Sequence, residues 1–419
     1  MSVVHLYFLR FSIAGKTTLL RIDCGTDSSY RDSTDGSYWQ SDENYIKTGT
    51  NRKVSTSRIE QFNSLRAFTQ QNKNCYTLPT PTQAKYFIRG SFYYGNYDGQ
   101  SKPPTFDLEF DGNKWASVVT SATRLQFHEL IYMPKGENIS VCLARTQDKQ
   151  FPFISILEIW PLDDNMYEGM SGDVAWLRSY GYNYGGGSND LENWILGFPM
   201  DDYNRVWQPY DPPGINVVTA LSISQNNVND PPEEAIITAI EAADPADVIN
   251  LPFTLATTTN LNYIAAYFTE PHEFLDNDTR LIDIYVEDDF MLTVEPEIGI
   301  CTCALIRIQS DGTLNVQLRQ NGSSTLPPVI SAIEVYTAGN PLVPGTTSKD
   351  DLDGLQVFIN AFEQLSGWSG DPCLPNNTVW QWLGCNGNDP PRVSKIDLSG
   401  YGLNGPLPEF SQMQALETM

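Results

Sequence analysis

Pro152-Phe-Ile-Ser-Ile-Leu-Glu-Ile-Trp160 and Pro328-Val-Ile-Ser-Ala-Ile-Glu-Val-Tyr336 are two versions of one stretch, sharing Pro152/Pro328, Ile154/Ile330, Ser155/Ser331 and Glu158/Glu334. The paired positions, 152 with 328 and 158 with 334, lie 176 residues apart. Upstream, Phe106-Asp107-Leu108 faces Ile282-Asp283-Ile284 at the same offset, so spacing is preserved along with chemistry. A period far beyond the roughly 20 to 50 residues of a solenoid repeat points to duplication of a whole folding unit.

Working outward, residues 20–162 are rich in Tyr, Phe, Ile and Thr and carry turn signals at Asn96-Tyr-Asp-Gly99 and Asp111-Gly112. Short strands separated by polar turns predict an antiparallel β-sandwich. Residues 163–200 contain Tyr180-Gly-Tyr-Asn-Tyr-Gly-Gly-Gly-Ser188, whose glycines and polar residues read as a flexible connector. The second unit is expected over 201–338, with strands at 262–268, 281–286 and 329–336. The expected fold is thus mainly β, two tandem antiparallel sandwiches.

After residue 338 the pattern turns helical. Ser348 with Asp351 reads as a capping box, Leu352, Leu355, Phe358, Ile359, Phe362 and Leu365 recur at helical spacing, and Gly367 is placed to end the helix. Asp350, Asp351 and Asp353 suit the positive end of the helix dipole. Trp368-Ser-Gly-Asp-Pro-Cys373 and Trp380-Gln-Trp-Leu-Gly-Cys385 follow. Their cysteines, framed by three tryptophans, point to a disulfide closing a small cap over 348–391, a constraint of about 3 kcal/mol; two free buried thiols are the alternative. Val393, Ile396, Leu398 and Leu403 then match one leucine-rich repeat, with Tyr401 where asparagine is expected. One repeat cannot bury its own apolar face, so 392–419 reads as the truncated start of a repeat array.

Composition narrows the function. With 26 Lys+Arg against 51 Asp+Glu the net charge is −25, which repels nucleic acid and anionic lipid. The seven cysteines form no paired C-x-x-C framework, so no metal site and no cofactor is expected. Sequons at Asn138, Asn277, Asn321 and Asn376 are glycosylation candidates and tilt the compartment outward, where an odd cysteine count leaves one thiol without an internal partner. The apolar run from Val3 to Leu9 is interrupted by His5 and stopped by Arg10, so it makes a poor secretory signal. Nor does any apolar stretch of about 18 residues offer a membrane span.

The order of these motifs resembles the ectodomain of plant malectin-like, leucine-rich-repeat receptor kinases. The resemblance is carried by Arg21-Ile-Asp-Cys-Gly25, Asn74-Cys-Tyr-Thr-Leu-Pro79, Tyr94-Gly-Asn-Tyr-Asp-Gly99, residues 152–162 and 328–336, and Gly370-Asp-Pro-Cys373, and it covers nearly the whole chain from Leu20. It implies two malectin-like sandwiches outside the cell, then repeats, a membrane helix and a cytoplasmic kinase. The last two have no counterpart here: there is no Gly-rich kinase loop or H-R-D motif, and Gly15-Lys16-Thr17 lacks the earlier glycine of a P-loop. No enzymatic activity is expected, and membrane association would come only through a missing C-terminal segment. The implied function is an extracellular or cell-surface domain recognising a glycan, a peptide or a co-receptor protein. Animal malectin holds a glucose disaccharide with aromatic rings and an Asp, and similar residue types occur here in Tyr93, Tyr94, Tyr97 and Asp98; packing at a sandwich edge is the other reading of these tyrosines. The alternative function is a secreted glycoside hydrolase or carbohydrate-binding accessory protein, for which Asp163/Asp164, Asp201/Asp202 and Asp288/Asp289 supply acids. Neighbours on a strand point to opposite faces, so no such pair is by itself a catalytic dyad.

Overall fold

The computed structural model describes residues 20–54, 59–81, 84–187, 195–197, 199–220, 223–224, 228–255, 260–343 and 345–419. The N-terminal apolar run, Gly15-Lys16-Thr17 and the last residue of the glycine-rich stretch lie outside them.

One long sheet runs through the molecule. Its neighbours are, in order, Leu20–Asp23, Ile156–Pro161, Tyr86–Phe92, Gln126–Tyr132, Val174–Asn183, Ala332–Pro341, Asn260–Phe268 and Thr302–Ser310. Below its first arm lies a four-stranded sheet, Lys73–Pro79, Asn138–Ala144, Thr105–Phe110 and Asn113–Val119. Below its second lies Ile249–Thr254, Thr313–Gln320, Ile282–Val286 and Asp289–Val294 in the same order. Each pair of layers encloses a core: Ile88, Leu108, Val141 and Leu157 in the first, Ile264, Ile284, Val316 and Ile333 in the second. Ile88/Ile264, Leu108/Ile284 and Leu157/Ile333 keep the 176-residue offset, so the duplicated sequence is a duplicated strand plan. Even the tight hairpin recurs, with Asp111 and Gly112 at φ 40° and 74° and Glu287 and Asp288 at 50° and 68°, the left-handed pair a two-residue turn demands.

The opposite face of the long sheet is covered too. Phe87, Trp160, Trp176, Trp207, Tyr263 and Tyr336 form a third core there, spanning both arms. Tyr86–Phe92 is therefore buried along its whole length, and its sequence shows no polar alternation.

Residues 163–200 are not a flexible connector throughout. Val174–Asn183 is a ten-residue strand pairing Gln126–Tyr132 on one side and Ala332–Pro341 on the other, so it welds the two arms. Its second part is the counterpart of the first strand: Leu20 and Ile22 pair with Ile159 and Leu157, while Tyr180 and Tyr182 pair with Val335 and Ile333. The Cys24 N–H donates to the Ser155 carbonyl, the Tyr184 N–H to that of Ser331, each at 2.8 Å. Arg21-Ile-Asp-Cys-Gly25 thus corresponds to Gly181-Tyr-Asn-Tyr-Gly185. Gly25 and Gly185 sit at φ 77° and 79°, and a Cβ would come within 2.1 Å of the Leu65 oxygen in the first and 2.9 Å of Thr238 in the second. These glycines serve close approach, not flexibility.

The helix is Lys349–Ala361, shorter than its apolar periodicity. Phe362 is extended at φ −128°, and one further turn, Glu363–Leu365, follows. Ser348 makes no side-chain cap, and Asp351 closes no capping box. Its carboxylate instead accepts from Arg392 Nε and Nη2 at 2.8 and 3.0 Å and from the Val393 N–H at 2.8 Å, pinning the helix to the next strand. Gly367 does not end the helix; it lets the chain pass close to Thr48 of the first half. Cys373 and Cys385 are bonded, as are Cys75 and Cys142, leaving Cys24, Cys301 and Cys303 as thiols. Among the described residues no helix is long and apolar enough to cross a membrane.

The C-terminal cap docks on the first half, although it follows the second in sequence. Lys73 Nζ lies 3.2 Å from Glu109, both side chains fully enclosed, and donates to the Leu374 carbonyl at 2.7 Å. The Thr378 hydroxyl donates to Glu109, Asn72 Nδ2 to the Val379 carbonyl at 2.8 Å, and the Ser369 hydroxyl to the Cys75 carbonyl at 3.1 Å. Gly370 passes over the Cys75–Cys142 bridge so closely that a Cβ would sit 2.3 Å from a sulfur.

Candidate ligand-binding site

On the outer face of the first arm, consecutive strands set opposite charges side by side. Arg21 is in register with Glu158, Glu158 with Arg89, and Arg89 with Glu129. Glu158 accepts from Arg89 at 2.8 and 2.9 Å and from Asn204 at 2.7 Å; Glu129 accepts from Arg89 at 3.1 Å and from Arg178 of the welding strand at 2.8 Å. Arg178 reaches Glu334, the second copy of Glu158, at 3.1 Å. Glu334 also accepts from the hydroxyls of Tyr267 at 2.8 Å, Tyr336 at 2.9 Å and Tyr167 at 3.1 Å. A ladder of alternating charge therefore crosses from one arm into the other, and cross-strand pairing is what makes each charge tolerable indoors.

Where this ladder begins, a recess of about 120 Å³ opens. Arg21, Arg89 and Glu158 form its polar floor, and Trp39, Phe62, Ile156, Leu125 and Phe127 its apolar walls. Asn204 and Val206, from the segment after the welding strand, close one side. Asp35, Gln61 and Ser91 add to its polar lining, yet the surface it exposes is mainly apolar, as in many ligand pockets. His128, between Phe127 and Glu129 but turned to the other side of the sheet against Phe92, is pushed down to about 4 by burial and is neutral at physiological pH.

Of the residues singled out by sequence, Tyr93 packs beside this recess, its ring 6.1 Å from Phe62. Tyr94 is fully enclosed in the first core and cannot present a face to a sugar; its hydroxyl donates to Asp98 at 2.5 Å and clamps the exposed turn. Tyr97 packs on Phe153 and Tyr94 at 5.4 and 5.6 Å. Tyr94, Tyr97 and Asp98 therefore meet at the turn, while Tyr93, its neighbour on extended chain, faces the other side. In each acid pair of the hydrolase alternative one member is engaged and the other is exposed: Asp201 is buried against Arg205 at 2.8 Å, Asp163 accepts from the Tyr203 hydroxyl at 2.6 Å, and Asp288 meets Arg319 at 2.9 Å, while Asp164, Asp202 and Asp289 face solvent. Asn138, Asn277 and Asn376 are exposed, while Asn321 Nδ2 donates to Asp283 at 2.9 and 3.1 Å.

Asp23, beside Arg21 on the first strand, is raised to about 7 by burial, against the opposing hydrogen bonds from Ser64 and Tyr30, each at 2.7 Å. Between pH 4 and 7 the folded chain keeps a proton that the unfolded chain has released, so stability falls as pH rises through that window, by at most about 1.4 kcal/mol per unit. The second copy carries Asn183 at the corresponding place. Asp23→Asn is expected to flatten the melting temperature between pH 4 and 7; an unchanged slope would assign the proton elsewhere.

A family model described as the malectin-like domain matches residues 22–338. Two Arabidopsis thaliana relatives are the probable LRR receptor-like serine/threonine-protein kinase At1g05700, 31% identical over 92% of this chain and 46% of its own length, and the LRR receptor-like serine/threonine-protein kinase IOS1, 30% identical over 95% and 45%. The chain spans about half the length of the curated relatives it matches. Among solved structures, the Arabidopsis thaliana ANX2 ectodomain superposes with TM-score 0.63 at 15% identity, covering 77% of this chain and 97% of the other. The complex of plant peptide RALF23 with FER and LLG2 matches with TM-score 0.62 at 16% identity, covering 78% and 97%. With its matched region spanning both arms of the long sheet, the chain belongs to the malectin-like domain family.

Proposed function

We propose that this chain is the extracellular ligand-binding part of a receptor-like protein, non-enzymatic, whose recess beside the charge ladder holds an apolar anchor side chain of a peptide or partner protein. The domains are read as two malectin-like sandwiches, the first over 20–162 and the second ending at 338. Its boundary, first set at 201, moves back to about 174 on the evidence of the welding strand. The cap over 348–391 and the first leucine-rich repeat from 392 follow. The parallel bridge between Lys395 and Thr418, a spacing within the roughly 20 to 29 residues of such repeats, supports the last assignment.

The observation that carries the functional reading is the recess itself: aromatic and aliphatic walls over a paired arginine and glutamate floor suit one buried anchor with a polar neighbour. The solved relative that holds a peptide together with a second protein supports a peptide or co-receptor over a glycan. The test is panning of a random-peptide phage library on the immobilised chain. Peptides enriched on the wild type should lose at least tenfold in affinity on Leu125→Arg, which puts a charge on the recess wall, and keep it on Val119→Arg, a surface control on the other sheet. Equal binding to both variants places the ligand elsewhere.

A further inference from the structure

The strap that returns the chain from the second half to the cap is fixed at its two ends, where the Leu342 N–H donates to the Asp173 carbonyl at 3.0 Å and the buried Thr347 N–H and hydroxyl donate to Asp371 at 2.8 and 2.5 Å, and more lightly between them. The Val343 N–H donates to Asn113 at 2.9 Å, and Lys135 donates to the Val343 carbonyl at 3.3 Å. A cavity opens on each side of it. One of about 390 Å³ lies between the first half and the strap, with Tyr132, Lys135 and Ser140 on its wall; the other, of about 260 Å³, lies against the cap beside Asn386 and Asn388. Val343 and Gly345 border both. Each cavity has one sequon asparagine on its lining, Asn138 in the first and Asn376 in the second, and both are exposed. The four sequons therefore divide by place: two flank the strap, while Asn277 sits in an exposed loop and Asn321 is held by Asp283.

We propose that Asn138 and Asn376 carry N-glycans whose proximal sugars fill these two cavities and clamp the strap, fixing the cap to the first half. The inference rests on the extracellular reading, since attachment belongs to the secretory route. In the reaction the asparagine Nδ2 bonds to the anomeric carbon of a polyprenyl-diphosphate oligosaccharide. The bond from that carbon to the diphosphate oxygen breaks, the lipid diphosphate leaves with the electron pair, and the amide loses one proton to base. Asn376 is modified before folding, because Thr378, which completes its sequon, is buried in the fold with its hydroxyl given to Glu109. The cavity linings suit a sugar ring: hydroxyls, amides and a lysine for its edge, Leu342, Val343 and Leu352 for its apolar face.

The test uses the whole chain secreted from eukaryotic cells that add only oligomannose glycans. Glycopeptide mass spectrometry should find Asn138 and Asn376 occupied. Hydrogen exchange at the Val343, Gly345 and Thr346 amides is then compared in intact protein, in protein trimmed by an endoglycosidase to one sugar per site, and in protein stripped by an amidase. Intact and trimmed samples should match, and the stripped one should exchange at least threefold faster. Asn138→Gln with Asn376→Gln should reproduce the stripped rates, and Asn277→Gln with Asn321→Gln should not. Unchanged rates on stripping, or a trimmed sample as fast as the stripped one, overturn the proposal. Empty Asn138 and Asn376 beside occupied Asn277 overturn it alone; a chain that is neither secreted nor glycosylated anywhere overturns the extracellular reading with it.

Discussion

Glu334→Ala is expected to lower the unfolding free energy by about 3–5 kcal/mol, the cost of leaving buried charges without their partner. The substitution removes the acceptor of three buried tyrosine hydroxyls and one of the two carboxylates beside each of Arg178 and Arg205, which keep only Glu129 and Asp201. Urea denaturation followed by tryptophan fluorescence reads the change directly. Glu158→Ala should cost less, because it borders an open recess and holds no tyrosine hydroxyls. A loss below about 1 kcal/mol at Glu334 would mean that the ladder does not hold the two arms together.

Lys73→Ala is expected to cost about 3 kcal/mol and to release the cap. Burial pulls the Lys73 ammonium down from its usual range and pushes the Glu109 carboxyl up, and each is restrained by the other. Without the lysine, Glu109 is left enclosed with only the Thr378 hydroxyl, and the Leu374 carbonyl loses its donor. Hydrogen exchange should rise in 73–79 and 369–380 together. The control is Lys114→Ala, whose half-exposed ion pair with Asp107 should change stability by less than about 1 kcal/mol. Faster exchange in the cap without any loss of global stability would show that the pair orients the cap and contributes little to the fold.

The duplication was legible because strand position and hydrophobic pattern repeat together at one offset. Arg21-Ile-Asp-Cys-Gly25 and Gly181-Tyr-Asn-Tyr-Gly185 escaped it for a definable reason. Their spacing is 160 residues rather than 176, and only the two glycines would have marked the pair, since both occupy the same left-handed place. Gly185, read by composition within 180–188, looked like part of a flexible tether. At the site, Glu158 and Glu334 were visible as shared residues, but nothing in a linear reading says that Arg21, Arg89, Glu129 and Arg178 stand beside them. With the two glutamates those partners occupy six strands, whose order in the sheet is not their order in the chain. The tyrosines around Tyr94 were conspicuous by type, but burial gives Tyr94 structural work, while Tyr93 and Tyr97 stay half-buried.

By itself the chain's sequence determined two copies of a β-rich unit, a tryptophan-framed cap with its helix, and the family, because local periodicity, turn chemistry and motif order are written residue by residue. Tertiary structure alone decided that the copies share one sheet, that their paired glutamates meet through Arg178, and that the cap folds back on the first copy. Each of these depends on long-range register and on which buried charges can find partners, quantities set by strands hundreds of residues apart and therefore absent from any local stretch.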